Sequence, residues 1–457
     1  MILLAIPVFI AALGVALFWI AASPSRVIYL LPVLLAFEYR VRLSSFSFDL
    51  SEMSFFVVIL ACMVRAWEGK QAGLPSSIPS RRLLILMLAV AALPSIFVEF
   101  NTAHAASVYR DLMLPFLFFF LFLQAGLEEK QIHALIKLAC LLALANACLG
   151  IVQYTTGNHL WFAGPDEAEW QAYKTGLAKL SIFGDFLGVQ DTLPVGLYTG
   201  ANNFACYLSL PLCLATTLAF SRDLAKRNRL VCLVASAVMF VCLLFTIFRS
   251  GLLVFAASMM CVYLFLSRRR GALRVLTVAA LAGLVAILFL TQGLFDWDQF
   301  GSFTGRQEMI SDAFTLMRSH PELLLTGGFT DLYHLQSRET QEIHNLVLYS
   351  IVQFGLPATA LFFAFFIRFF LRVFRAVKTI TGVERSVLVA IAASIAANIF
   401  LYGSTTMLID SVQTSIWLLF WTGVASYLMA YATAEVRISS PAFVPRTVML
   451  PEHGSLT

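Results

Sequence analysis

Charge is what this sequence has least of. Asp, Glu, Lys and Arg together make up 12% of its 457 residues, about half of the ~25% usual in soluble globular chains. No low-complexity tract and no internal repeat interrupts it, so disordered, fibrous and nucleic-acid-binding classes are excluded. The common catalytic signatures are missing as well. There is no GxxxxGK[ST] nucleotide loop, no HExxH helix and no GxSxG elbow. Eight cysteines occur, all inside apolar runs and none in a CxxC pair. They read as small buried hydrophobes, not as a disulfide framework or metal site.

What is there in excess is apolar surface: 60% of residues are hydrophobic and 41 are Phe. Apolar runs lie near 1–22, 27–39, 51–66, 83–100, 109–126, 132–154, 197–220, 230–248, 250–267, 272–291, 345–372, 386–402 and 409–431. At roughly 20 apolar residues per bilayer crossing, this pattern predicts one all-α, polytopic transmembrane helix bundle over 1–457 with about 12–14 spans. The run from Met1 to Ala22 lacks a basic leader and is expected to be a first membrane helix.

Basic loops set the orientation. Arg222, Lys226, Arg227 and Arg229 form one cluster, Arg268, Arg269, Arg270 and Arg274 a second, and Arg368, Arg372, Arg375, Lys378 and Arg385 a third. All three fall on one side in the predicted alternation of spans, which makes that side cytoplasmic and the tail 432–457 cytoplasmic with it. The net charge of +5 needs no anionic partner beyond this bias. Two long polar stretches, 155–195 and 292–343, then face outward. The second contains a helical pattern from Glu308 to Arg318 and is expected to fold as a lid or cup over the outer face.

Candidate site residues cluster on that face. Arg249 interrupts two apolar runs in Thr246–Gly251, where its guanidinium either clamps phosphate groups of an anionic lipid substrate or snorkels to headgroups. Arg306 opens the helical stretch of the second loop, as a further phosphate contact or a solvated helix charge. His344 and Asn345 head the apolar run at 345–372. There the orphan amides of a helix start favour anions, and an imidazole near pKa ~6.5 can take a hydroxyl proton; capping the helix is the plainer role. Asn202, at another helix start, adds an amide donor or a cap. An outer-face enzyme with neither nucleotide nor metal needs a preactivated donor, and a lipid-diphosphate sugar meets that need.

The ordered series Thr246–Gly251, Gly305-Arg306, Pro321, Gly327-Gly328, His344-Asn345 and Gly355, with Gly150–Tyr154, Gly196–Tyr198 and Asn202-Asn203 upstream, resembles the O-antigen ligase/polymerase superfamily of bacterial envelope glycosyltransferases over 196–372. The resemblance implies a multi-pass inner-membrane enzyme with a periplasmic site. Its donor would be an undecaprenyl-diphosphate-linked saccharide, and its acceptor another saccharide or lipid A–core. Membrane lipids and a chain-length regulator would be the other partners, with no cofactor and no metal. Arg249 and Arg306 would then bind the diphosphate and His344 would serve the acceptor hydroxyl, in a metal-independent inverting transfer. Family members commonly carry an Arg shortly before the glycine at Gly196. Asp191–Val195 has none, so Lys174 or Lys179 is the available replacement. That departure tilts the expectation from ligase toward polymerase of O-antigen or exopolysaccharide. The rival from another class is a flippase of lipid-linked saccharides, but the repeat symmetry and midplane ionisable residues of a transporter are not evident.

Overall fold

The computed structural model describes residues 23–37, 40–43, 46–68, 81–92, 109–157, 194–198, 201–246, 249–266, 302–321, 323–327, 346–401 and 412–439. The helices in chain order are α1 (Leu30–Leu35, entered through a 3-10 turn at Pro24–Tyr29), α2 (Met53–Trp67), α3 (Arg81–Ala92), α4 (Leu114–Gln124), α5 (Glu129–Thr156), α6 (Ala201–Ala219), α7 (Lys226–Phe245), α8 (Arg249–Leu266), α9 (Ser302–Ser319), α10 (Leu323–Thr326), α11 (Leu346–Ala376), α12 (Gly382–Leu401) and α13 (Val412–Ser439). Within them, α5, α7, α11, α12 and α13 provide segments long and apolar enough to cross a membrane. Shorter apolar helices accompany them at Ser25–Leu35, Met53–Trp67, Leu114–Gln124, Asn203–Ala219 and Gly251–Leu266. The helical, polytopic architecture expected from the apolar runs is therefore present. The runs at 1–22 and 272–291 lie outside the described residues, as does the basic cluster at 268–274.

Two local features go beyond the apolar pattern. Between α1 and α2 a short antiparallel hairpin pairs β1 (Arg40–Leu43) with β2 (Phe46–Asp49), Leu43 opposite Phe46. Ahead of α4 a π-turn spans Tyr109–Met113, and its Arg110 forms an ion pair with Glu52, Nε to Oε1 at 3.0 Å.

In hydrocarbon every backbone polar group needs an internal partner, and the helix ends show how this chain supplies them. Glu128 and Gln131 form a reciprocal capping box at the start of α5, and Gly157 closes it in the left-handed region at φ 64°. The end of α4 is finished by tyrosines from α13. The Tyr427 hydroxyl accepts from the Leu127 N–H at 3.2 Å and lies 3.0 Å from the carbonyls of Phe122 and Leu123, while the Tyr431 hydroxyl donates to the Leu127 carbonyl. The close approach of α13 to α4 requires Gly423, where a Cβ would stand 2.5 Å from the Phe122 ring. Phe116 and Phe119 of α4 meet Phe365 of α11 edge to face, with centroids 5.3 and 5.4 Å apart.

Side-chain contacts also fix helix directions. Cys213 Sγ donates to the Ala390 carbonyl and Cys206 Sγ to Asn398 Oδ1, so α6 and α12 run antiparallel. Asn398 Nδ2 further donates to Ser209 Oγ at 3.3 Å and to the Ser394 carbonyl at 2.8 Å. All eight cysteines are free, as their placement in apolar runs led one to expect.

Candidate active site

The antiparallel α6–α12 pair sorts the bundle into two ends. The start of α6 lies beside the finish of α12. Val254, early in α8, joins Cys206 and Ala397 in one buried cluster, so α8 also begins at that end. Only five residues separate α11 from α12, which returns α11 antiparallel to it and places its start there too. Gln413 Nε2, at the head of α13, donates to the Leu35 carbonyl, the acceptor that also takes the Tyr198 hydroxyl. The N-termini of α6, α8, α11 and α13 thus share one end of the bundle. The opposite end carries the connections α6–α7 and α11–α12, with Arg222, Lys226, Arg227 and Lys378. The expected segregation of basic loops from polar helix starts holds for these described segments.

At the N-terminal end two stretches singled out in the sequence lock together. Gln153, fully buried in α5, accepts the N–H groups of Val195 (3.1 Å) and Gly196 (2.8 Å) and donates its amide to the Gly196 carbonyl at 2.8 Å. Gly196 sits at φ 58° with the Phe204 ring 2.7 Å from where a Cβ would be. Asn146 Nδ2 closes the cluster by donating to the Ala36 carbonyl at 3.0 Å. The chain is thereby delivered from the 155–195 stretch into the first turn of α6, which carries Asn202.

A second lock lies on α11. The helix is broken at Gly355 (φ 80°, ψ 164°), followed by Pro357. Into the break fits the segment Leu325–Gly327 at the end of α10. A Cβ on Gly327 (φ 74°) would lie 2.5 Å from the Gln353 carbonyl oxygen and 2.7 Å from the Gly355 nitrogen. One on Gly355 would lie 2.7 Å from the Leu325 carbonyl oxygen. Thr359 Oγ1 donates to the Gly355 carbonyl at 2.8 Å and satisfies a backbone group beside the break. α9 also packs on α11, and it extends the helix read from Glu308 to Arg318 back to Ser302.

Of the predicted site residues, Arg249 is the first residue of α8, Asn202 the second of α6, and Arg306 lies early in α9. These are backbone positions; their side chains fall outside the description. His344 and Asn345, directly before α11, and Lys174 also lie outside the described residues. The chain therefore presents two candidate residues at helix starts on one end, and the third helix start there follows His344-Asn345. Helix N-termini bring unpaired N–H groups and a positive dipole end, an environment for an anion. Sequence reasoning treated Gln153 only as part of a resembling fragment and missed its bond to Gly196. A small cavity of about 90 Å³ at the opposite end, lined in part by Arg65, Glu68 and Glu128, has room for only a few waters at ~30 Å³ each.

Taken together, the helices and their two distinguishable ends define a multi-pass membrane protein. Residues 234–363 match the family model described as O-Antigen ligase, a segment running from within α7 through Arg249, Arg306 and His344 to Phe363 of α11. This match supports the O-antigen ligase/polymerase superfamily that the sequence resembles, and with it a membrane glycan-processing enzyme of the ligase/polymerase type. Comparison with curated proteins gives no match.

Proposed function

We propose that the protein is a periplasm-facing glycosyltransferase of the inner membrane that moves saccharide units from an undecaprenyl-diphosphate carrier, as a polymerase of O-antigen or exopolysaccharide. The observation that carries this reading is the gathering of helix starts, with Arg249 and Asn202 on two of them and His344-Asn345 preceding a third, in and beside the stretch similar to O-Antigen ligase. In this mechanism an acceptor hydroxyl oxygen attacks the anomeric carbon and the bond to the diphosphate breaks. The diphosphate leaves with the electron pair, neutralised by Arg249 and Arg306. His344 takes the hydroxyl proton, and Asn345, Asn202 and Lys174 hold diphosphate or sugar oxygens. The transfer inverts the anomeric centre and uses no metal.

A second reading, ligation of the finished glycan to lipid A–core, is favoured by the description of the matching family. Deleting the gene and analysing the envelope glycan separates the two. Single repeats without long chains mark a polymerase, and full-length glycan left on the carrier lipid marks a ligase. Arg249→Ala and His344→Ala should each lower transfer from purified lipid-linked donor by about 10²-fold or more. Undiminished transfer in both refutes the mechanism.

A further inference from the structure

At the end of the bundle opposite the candidate active site, two helices bring an imidazole between two carboxylates. Glu129 and His133 stand one turn apart on α5, and Glu384 lies in the first turn of α12. His133 Nε2 is 3.6 Å from Glu129 Oε1 and 3.8 Å from Glu384 Oε1. One ligand atom from each of the three residues falls within 4.8 Å of the others. These separations exceed the ~2.7–3.2 Å of an ordinary N–H···O bond. The two imidazole–carboxylate separations come close to the edge of a coordination tetrahedron instead, since two ligand atoms at ~2.0–2.1 Å from zinc stand about 3.4 Å apart, and a rotamer adjustment of the exposed Glu129 draws the two carboxylates to the same spacing.

We propose that Glu129, His133 and Glu384 form a binding site for a zinc-class divalent cation that ties α5 to α12. The donor set is suited to such an ion, because imidazole selects zinc and its neighbours over magnesium or calcium. Two carboxylates and a neutral imidazole carry two negative charges, which one dication balances. The spacing of Glu129 and His133 presents both to one side of α5, and the capping box of Glu128 with Gln131 fixes the turn that carries Glu129. All three side chains remain part-exposed, between 37% and 46%, so the ion has an entry path and a solvent water completes its coordination. The site lies at the far end from the helix starts of α6, α8 and α11. Its role is to couple two helices, and it stands or falls independently of the glycan-transfer proposal.

The test uses the tag-free full-length protein in detergent, stripped with a chelator and titrated with zinc. One zinc ion per chain should bind, and the melting temperature should rise with it. His133→Ala and the isosteric Glu384→Gln should each weaken this binding about tenfold or more and abolish the zinc-dependent rise, with metal-free melting unchanged. Equal zinc binding in the parent and both variants would assign the metal to other groups, such as the cysteines, and overturn the proposal. So would the absence of one-equivalent binding in the parent. Should His133→Ala fail to fold, Glu384→Gln alone decides between these outcomes.

Discussion

Replacing Gly327 or Gly355 by Ala tests whether the segment Leu325–Gly327 is truly keyed into α11. Each glycine has a positive φ, 74° and 80°, where an L side chain costs ~1–2 kcal/mol. Each new methyl also meets backbone at 2.5–2.7 Å, against an ordinary C···O approach of ~3.3–3.6 Å, so one segment must retreat by most of an ångström. Backbone yields less readily than a flexible side chain, and overpacking of this kind costs ~1–3 kcal/mol. Each single variant should therefore lose about 2–5 kcal/mol. Both methyls press on the same contact, so the double variant should fall short of the sum by about 1–3 kcal/mol, the steric part being incurred only once. Thermal unfolding of the detergent-purified full chain measures this. Limited trypsin digestion adds a local readout, because the exposed Arg318 at the end of α9 lies close to Leu325–Gly327 in sequence and should be cut faster when that segment lifts. Singles within ~0.5 kcal/mol of the parent, or a strictly additive double, would refute the interlock.

Three further substitutions probe the remaining joints. Gln153→Leu keeps the volume but leaves the amides of Val195 and Gly196 and the Gly196 carbonyl buried without their partner. It should cost about 2–4 kcal/mol in the same unfolding assay. Tyr427→Phe removes the hydroxyl that closes α4 and should cost about 1–2 kcal/mol. Gly423→Ala pushes a methyl into the Phe122 ring and should cost about 1–3 kcal/mol. Paired with Phe122→Leu it should recover part of that loss, because the smaller side chain vacates the space.

Much of the bundle was legible from hydropathy, because in a bilayer the length of an apolar run and the length of a helix are set by the same thickness. The run at 132–154 lies within Glu129–Thr156, and that at 386–402 overlaps Gly382–Leu401. The break at Gly355 was not legible. Leu346–Ala376 reads as one unbroken apolar segment, and Pro357 alone does not say that the chain turns to positive φ two residues earlier. That conformation exists because Gly327, far away in sequence, fills the gap. The hairpin at 40–49 escaped for the opposite reason: strands of four residues are too short for alternation to stand out. At the candidate site, residue type and position at run ends pointed to Arg249 and Asn202, and both fall at helix starts. The Gln153–Gly196 bond spans 43 positions, and no local pattern encodes which backbone a buried glutamine will hold.

The Asn398 amide carries one more implication. It is held at once by Cys206, Ser209 and its own Ser394 carbonyl, so α6 and α12 are pinned at a fixed height relative to each other. A ratchet of one helical turn, about 5.4 Å, would strip all the cross-helix partners from a carboxamide in an apolar interior. The two helices must move as one body, and any change of shape at this end of the bundle has to come from the elements packed around them.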